Sequence, residues 1–222
     1  MSELAGKYIV IEGNDGTGKS TQVERLASYL RSTGHDARIV EEPGSEDDEK
    51  TTPVANYLRS VIKNGSLLRD PEINLSLFSA ARRELWQEKI APALGQGATV
   101  LSARNYFSTF AYQGGGEGID NEHIRAITSL FTHPRYMTPD HMLVLTLEDE
   151  SVRAARISQR GALEVADTFE SKDAEFQLRV NEAYVALAKE YDLPTISAKD
   201  NAGKLRTIEE IQLEIRQLLN IA

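Results

Sequence analysis

Residues 13–20, Gly-Asn-Asp-Gly-Thr-Gly-Lys-Ser, set three glycines, an ammonium and a hydroxyl within eight positions. The spacing G-x-x-x-x-G-K-S suits the holding of a chain of phosphates. Glycine lets the backbone curl until successive N–H groups point into one hollow; the lysine can then reach the outer phosphates while the hydroxyl ligates Mg²⁺. The apolar run YIVIEG precedes the loop and the segment KSTQVERLASYLR, apolar at Val23, Leu26, Ala27 and Leu30, follows it. A strand and a helix are therefore predicted on either side, with the helix N-terminus adding partial positive charge. Gly13, Asn14, Asp15, Gly16, Thr17, Gly18, Lys19, Ser20 and Thr21 are the candidate phosphate-binding residues, Lys19 the catalytic cation and Ser20 the metal ligand. The ligand implied is a nucleoside triphosphate, ATP with Mg²⁺. The loop does not name a reaction, because GTPases, motor ATPases and small-molecule kinases share it. No NKxD-type guanine signature occurs, and 222 residues are too few for a motor.

The elements that must position this loop follow from apolar runs short enough to be buried strands: YIVIEG, ARIVE, ATVLS, HMLVLTL and PTIS. Helix-spaced segments separate them, which predicts an α/β fold with a five-stranded parallel sheet and helices on both faces. A second helix is expected over Pro53 to Lys63 and a third from Pro71 to about Ile90, each opened by a proline suited to a first turn. Phe176, Val180, Tyr184, Leu187 and Tyr191 recur every three or four residues and predict a late amphipathic helix whose aromatics are mostly core. The acidic stretch PGSEDDEKTTP reads as a solvated loop, while YQGGGEGID and QRGALEVADTFESKD read as mobile loops beside a site.

Composition narrows the function classes. A net charge of −9 argues against nucleic-acid or anionic-membrane binding, so an anionic ligand must meet local clusters of Lys and Arg. With 41% hydrophobic residues the chain can bury one sizeable core, and with no cysteine it has neither disulfides nor a thiolate metal site. It has no run of about eighteen apolar residues and no export signal, so a soluble cytoplasmic protein is expected.

Taken together, IEGNDGTGKSTQ, VEEPG, FSAARR, SARNYFSTFAYQGGGEGID, TPDHMLVLTLEDE and RGALEVADTFE resemble the thymidylate kinase family of nucleoside-monophosphate kinases, over nearly the whole chain. The resemblance implies a P-loop NTPase fold in a single domain spanning 1–222, with a short lid segment at about 153–172. It also implies ATP-dependent conversion of dTMP to dTDP, and a homodimer. By the same resemblance Arg104 grips the acceptor monophosphate, Arg82 reaches the thymine ring and Phe78 stacks on it. Ser108, Thr109, Tyr112 and Gln113 then line the nucleoside pocket, Asp15 lies near the sugar and acceptor phosphate, and Asp167 and Glu170 border the acceptor. Loop positions 14–17 hold no arginine, as in relatives that deliver positive charge from the lid. Arg153, Arg156 and Arg160 are the lid candidates, Arg156 and Arg160 being taken as catalytic.

The residue types alone leave alternatives open. Phe78 and Arg82, four apart, share one helix face, which suits a nucleobase or a core ring edged by an arginine. Arg104 could be a surface ion-pair partner, Tyr112 a core aromatic, and the lid arginines a basic stripe paired with Glu150 and Glu164. Three positions depart from the family: Ala103 stands where most relatives carry an Asp, Glu41 where they often carry Arg, and Thr146 where many carry Asp. The segment SEDDEKTTP also lengthens a loop. Alanine offers Mg²⁺ no ligand, so Glu12, Asp15, Glu41 and Glu42 are the possible substitute acids. A kinase for another deoxynucleoside monophosphate, and a nucleotide-binding module without turnover, are the rival readings.

Overall fold

The computed structural model describes residues 4–158 and 168–221. Five strands, β1 (Tyr8–Glu12), β2 (Ala37–Glu41), β3 (Thr99–Ala103), β4 (His141–Thr146) and β5 (Thr195–Ser197), pair in parallel in the order β2-β3-β1-β4-β5. All five coincide with the apolar runs. Strand alternation divides the core in two. Tyr8, Val10, Val40, Val100 and Val144 belong to one apolar cluster, and Ile9, Ile11, Ile39, Leu101, Leu143 and Leu145 to the other. The second cluster is closed by α1 (Lys19–Ser32) and α10 (Ile208–Leu218), the latter begun by a Thr207–Glu210 capping box.

The larger cluster is closed by several helices. Of these, α2 (Pro53–Lys63) and α3 (Pro71–Leu85) each start with a proline behind a capping side chain, Thr52 and Asp70. The third helix does not stop near Ile90 as the sequence suggested. It widens into a π-helical turn over Trp86–Ile90 and runs on as α4 (Ala91–Gly95), the wide turn admitting Pro92 without a break. Beyond β3 come α5 (Phe107–Thr109), a π-helical stretch Phe110–Gly116, α6 (Asn121–Phe131) and α7 (Pro134–Met137). After β4 come α8 (Glu150–Ser158) and α9 (Ala174–Glu190), and Asp173 caps α9.

Two segments differ from their expected loop character. The first five residues of the glycine-rich YQGGGEGID, 112–116, are π-helical, and their glycines let α9 approach. A Cβ on Gly115 would lie 2.4 Å from that of Ala183, and one on Gly116 would lie 2.5 Å from the Phe176 ring. The acidic segment after Gly44 is held down rather than solvated throughout: Ser45, Thr51 and Thr52 are buried. Lys50 fixes it, with Nζ 2.5 Å from Glu24 on α1, 3.3 Å from Glu41 on β2 and 3.6 Å from Asp47.

The close seat of α9 on the π-helical stretch yields a stability prediction. Gly115→Ala, at a backbone conformation alanine can adopt, destabilises the fold by about 1–3 kcal/mol through overpacking, read as a lowered denaturation midpoint. An unchanged midpoint contradicts the packing described.

Candidate active site

The loop between β1 and α1 takes the curled form that its glycines allow. Gly13, Gly16 and Gly18 have φ values of 137°, 84° and 102°. A side chain at Gly13 would strike the Leu145 carbonyl at 2.2 Å, and one at Gly16 would meet Arg153 at 2.9 Å. Gly18 opens α1 without a side-chain cap, unlike α2, α3, α9 and α10, so no capping side chain covers the helix start. The Lys19 ammonium is 6% exposed and donates to the Asn14 carbonyl at 2.9 Å. Thr17 closes the loop through its hydroxyl on the same carbonyl at 2.8 Å. Ser20 and Thr21 are exposed on the first turn of α1.

A cavity of about 200 Å³ opens beside the loop, between the C-terminal ends of the strands and α2 and α3. Asp15, Phe78, Arg82, Arg104, Ser108, Thr109, Tyr112 and Gln113 line it, so the structure brings all eight together. Phe169 and Glu170 line it as well. The Phe169 ring lies 5.8 Å from both Phe78 and Tyr112. Arg160 and Asp167 lie outside the described residues.

Arg104 is the hub. It follows β3 with φ 102°, a left-handed conformation unusual for a non-glycine residue. Its Nη2 donates to Asp15 at 2.5 Å and to the Tyr112 hydroxyl at 3.1 Å; its Nη1 donates to the Ser108 and Tyr184 hydroxyls, each at 2.9 Å. Burial pushes the Asp15 carboxyl up, but Arg104 and Lys19 outweigh it and hold the carboxyl well below the usual carboxylate range. Burial likewise keeps the Tyr112 phenol protonated far above its ordinary range. Asp15 thus meets both the donor-loop lysine, at 3.9 Å, and the arginine of the cavity.

Arg82 ties the cavity floor to its surroundings. It lines the cavity with its side chain 2% exposed, and three of its five N–H groups donate to Glu42 at 3.1 Å, Thr109 Oγ1 at 2.6 Å and the Asn105 carbonyl at 2.9 Å. Its guanidinium carbon lies 5.3 Å from the centre of the Phe78 ring. Burial pushes the Glu42 carboxyl up to about 7, against the pull of Arg82 and the Tyr136 hydroxyl.

The four candidate substitute acids separate by burial. Glu12 is fully buried, and its oxygens accept from Asn105 N, Ser108 N, Ser108 Oγ and the Tyr184 hydroxyl. Glu42 is committed to Arg82 and Tyr136. Asp15 and Glu41 remain on the cavity wall. Glu41 is the register partner of Ala103 on the neighbouring strand, and its carboxylate is held by Ser45 at 2.7 Å and by Lys50. The helix α8 lies against the donor loop: Arg153 Nη1 donates to the Asp15 carbonyl at 3.3 Å and Arg156 Nη1 to the Gly16 carbonyl at 3.2 Å. Arg153 also pairs with Glu150 at 2.5 Å, as the stripe alternative has it, but it is buried rather than exposed.

Sequence reasoning missed Arg59 and Lys63, which bring two further cations to the cavity wall from α2, and Phe169. Their spacing of four on the helix predicted over Pro53 to Lys63 was a usable signal for the pair. It also read Tyr184 as core, and nothing in the spacing marks its hydroxyl as different.

The chain matches a sequence model described as thymidylate kinase over residues 11–208. It is 35% identical over 218 residues to a thymidylate kinase of Thiobacillus denitrificans, covering 97% of each chain. It is 37% identical over 202 residues to one of Pseudomonas fluorescens, covering 90% of each. A crystal structure of thymidylate kinase from Ehrlichia chaffeensis superposes with a TM-score of 0.72 at 26% identity, covering 97% of this chain and 99% of that one.

The buried Arg82–Glu42 pair gives a prediction with a pH sign. A carboxyl raised to about 7 in the folded state binds its proton more tightly than in the unfolded chain, so stability falls as pH rises from the ordinary carboxylate range through about 7. Arg82→Met removes the opposing charge and costs about 3–5 kcal/mol at pH 8, and less at pH 5, where Glu42 can be neutral. Thermal melts at the two pH values read the difference; an equal loss at both contradicts it.

Proposed function

The chain belongs to the thymidylate kinase family and is a nucleoside-monophosphate kinase that phosphorylates dTMP, and from that premise we propose how its own residues do so. The donor is ATP, its phosphates seated in the 13–21 loop, and the acceptor dTMP occupies the Phe78–Tyr112 cavity. The observation that carries this reading is the meeting of donor lysine and acceptor arginine at one carboxylate, Asp15. Two anionic substrates therefore fit end to end across that residue. The uncapped start of α1 and the glycines whose Cβ atoms would fill the hollow fit a phosphate chain.

The residues present also fit Mg²⁺. Among the described residues no group of three or more His, Asp or Glu could hold a metal alone, as expected where the ion is bound jointly by substrate phosphates and one or two carboxylates. The Ser20 hydroxyl would hold it, with Asp15 or Glu41 taking the place of the carboxylate absent at Ala103. Its chemistry there is neutralisation of charge on the donor phosphates.

In the reaction an oxygen of the dTMP phosphate bonds to the γ-phosphorus while the bond to the ADP oxygen breaks. The acceptor is already anionic near neutral pH, so little general-base assistance is needed and repulsion is the obstacle. Two unit charges about 4 Å apart repel by about 1 kcal/mol in water but about 4 kcal/mol at an effective dielectric of about 20. A closed site must therefore supply cations. Lys19 leaves the Asn14 carbonyl for the donor phosphates, and Arg104 leaves Asp15 for the acceptor phosphate. Arg59 and Lys63 add charge from α2, and Arg156 and Arg160 from a lid at about 153–172.

Phe78 stacks on the base. Arg82, which also holds Thr109, reaches the thymine ring, Gln113 faces the same wall, and Asp167 borders the acceptor. The protein works as one domain over 1–222 in the cytoplasm. The resemblance further implies a homodimer, for which exposed Val54 and Tyr57 on α2 and Ile73 on α3 offer an apolar face.

A coupled ADP-release assay with ATP·Mg²⁺ across dTMP, dUMP, dGMP, dCMP and dAMP tests the reading. The highest kcat/KM is expected for dTMP; a much higher value for another base overturns the acceptor assignment, and binding of both nucleotides without dTDP formation overturns turnover. Separately, Ala103→Asp raises kcat at limiting Mg²⁺, whereas an unchanged metal dependence shows that an existing acid already serves fully.

A further inference from the structure

We infer that Tyr184 of α9, backed by the buried Glu12 of β1, is a positioning residue that anchors one edge of the Arg104 guanidinium and leaves the other edge for the acceptor phosphate. The inference rests on the proposed role of Arg104 and deepens it.

The two edges of Arg104 have different surroundings. The Nη2 edge faces Asp15 and the Tyr112 hydroxyl on the cavity side, and Asp15 lines the cavity itself. The Nη1 edge faces inward to the Ser108 and Tyr184 hydroxyls at 2.9 Å each, with the Gly13 carbonyl at 3.3 Å. Both hydroxyls lie against the same carboxylate oxygen, Glu12 Oε2, at 2.8 Å from Ser108 Oγ and 3.0 Å from the Tyr184 hydroxyl. A hydroxyl that gives its proton to a carboxylate can only turn lone pairs toward a guanidinium. Glu12 therefore orients both hydroxyls as acceptors and acts as a buried counter-charge to Arg104 without touching it.

The two hydroxyls also lie 2.9 Å from each other; whichever donates to its neighbour, the other donates to Glu12, and both still turn lone pairs toward Arg104. The second oxygen of Glu12 is taken by the backbone N–H groups of Asn105 and Ser108. Tyr184 is 1% exposed, and burial pushes its phenol far above the ordinary range, so it stays protonated at any working pH. The inward edge is thus permanently satisfied, while the outward edge can exchange Asp15 for a phosphate. Anchoring restricts a side chain that otherwise loses much rotamer freedom when it grips a ligand. Strand parity explains why Glu12 is available. It follows Tyr8 and Val10 onto the face packed by α9, opposite to the face of Ile9 and Ile11 beneath α1.

Tyr184→Phe keeps the ring and removes only the hydroxyl. The expected result is a kcat/KM for dTMP lowered roughly tenfold or more, the loss of one hydrogen bond to a charged group, with KM for ATP within about twofold of the parent. In an Arg104→Lys background, itself impaired for dTMP, the same substitution has little further effect, because its target is gone. Tyr184→Phe kinetics equal to the parent, alongside an impaired Arg104→Lys, overturn the anchoring and leave the acceptor role of Arg104 standing. Equal rises in KM for both substrates with a lowered melting temperature assign Tyr184 a merely structural role and overturn it too. An unimpaired Arg104→Lys overturns the acceptor reading on which the inference rests.

Discussion

The ion pair between Asp15 and Arg104 is the contact on which the site depends. One partner belongs to the phosphate loop and the other to the turn after β3, so the pair fixes the donor side against the acceptor side across the sheet edge. Lys19 completes a triad of two cations on one carboxylate, which holds the carboxyl ionised despite burial. A carboxylate with two cations keeps a surplus positive charge, which suits it to being taken apart by two phosphates. In the proposed reaction each substrate claims one cation, and the loop and the β3 turn stay where the sheet put them.

The sheet explains why those cations converge. Parallel strands deliver their C-terminal ends to one edge, and the order β2-β3-β1-β4-β5 places β1 and β3 side by side. Glu12, Gly13, Ala103 and Arg104 are therefore neighbours although about ninety residues separate the two segments. The glycines of Phe110–Gly116 then let α9 lie close enough for the Tyr184 hydroxyl to reach the arginine from the far side. A methyl group at Gly115 would push away the helix that carries that hydroxyl.

Much of this was legible beforehand, for a physical reason in each case. Strands announced themselves as short apolar runs, and the phosphate loop as glycines in the one context where curled backbone has a use. The cavity residues from Phe78 to Gln113 came from resemblance, and their side chains do line one space. What was not legible depends on partners distant in sequence. That Arg82 also binds Glu42 and Thr109 is not visible in its spacing. Tyr184 reads as core because periodicity reports which face a side chain is on, not what its terminal oxygen meets. The acidic loop after Gly44 reads as solvated because its anchors, Glu24 and Lys89, sit on other helices. The absence of a carboxylate at Ala103 was visible at once. That Glu41 is its register partner needed the sheet.

The central claim is that donor and acceptor phosphates divide the cations now shared at Asp15. A crystal structure with a bisubstrate analogue, adenosine and thymidine joined through a chain of phosphates, tests it most directly. The account predicts Lys19 Nζ on donor-side phosphate oxygens and Arg104 Nη2 on the acceptor-side phosphate, with Nη1 still held by Ser108 and Tyr184. An analogue bound with Arg104 still paired to Asp15 and Lys19 still on the Asn14 carbonyl would contradict it.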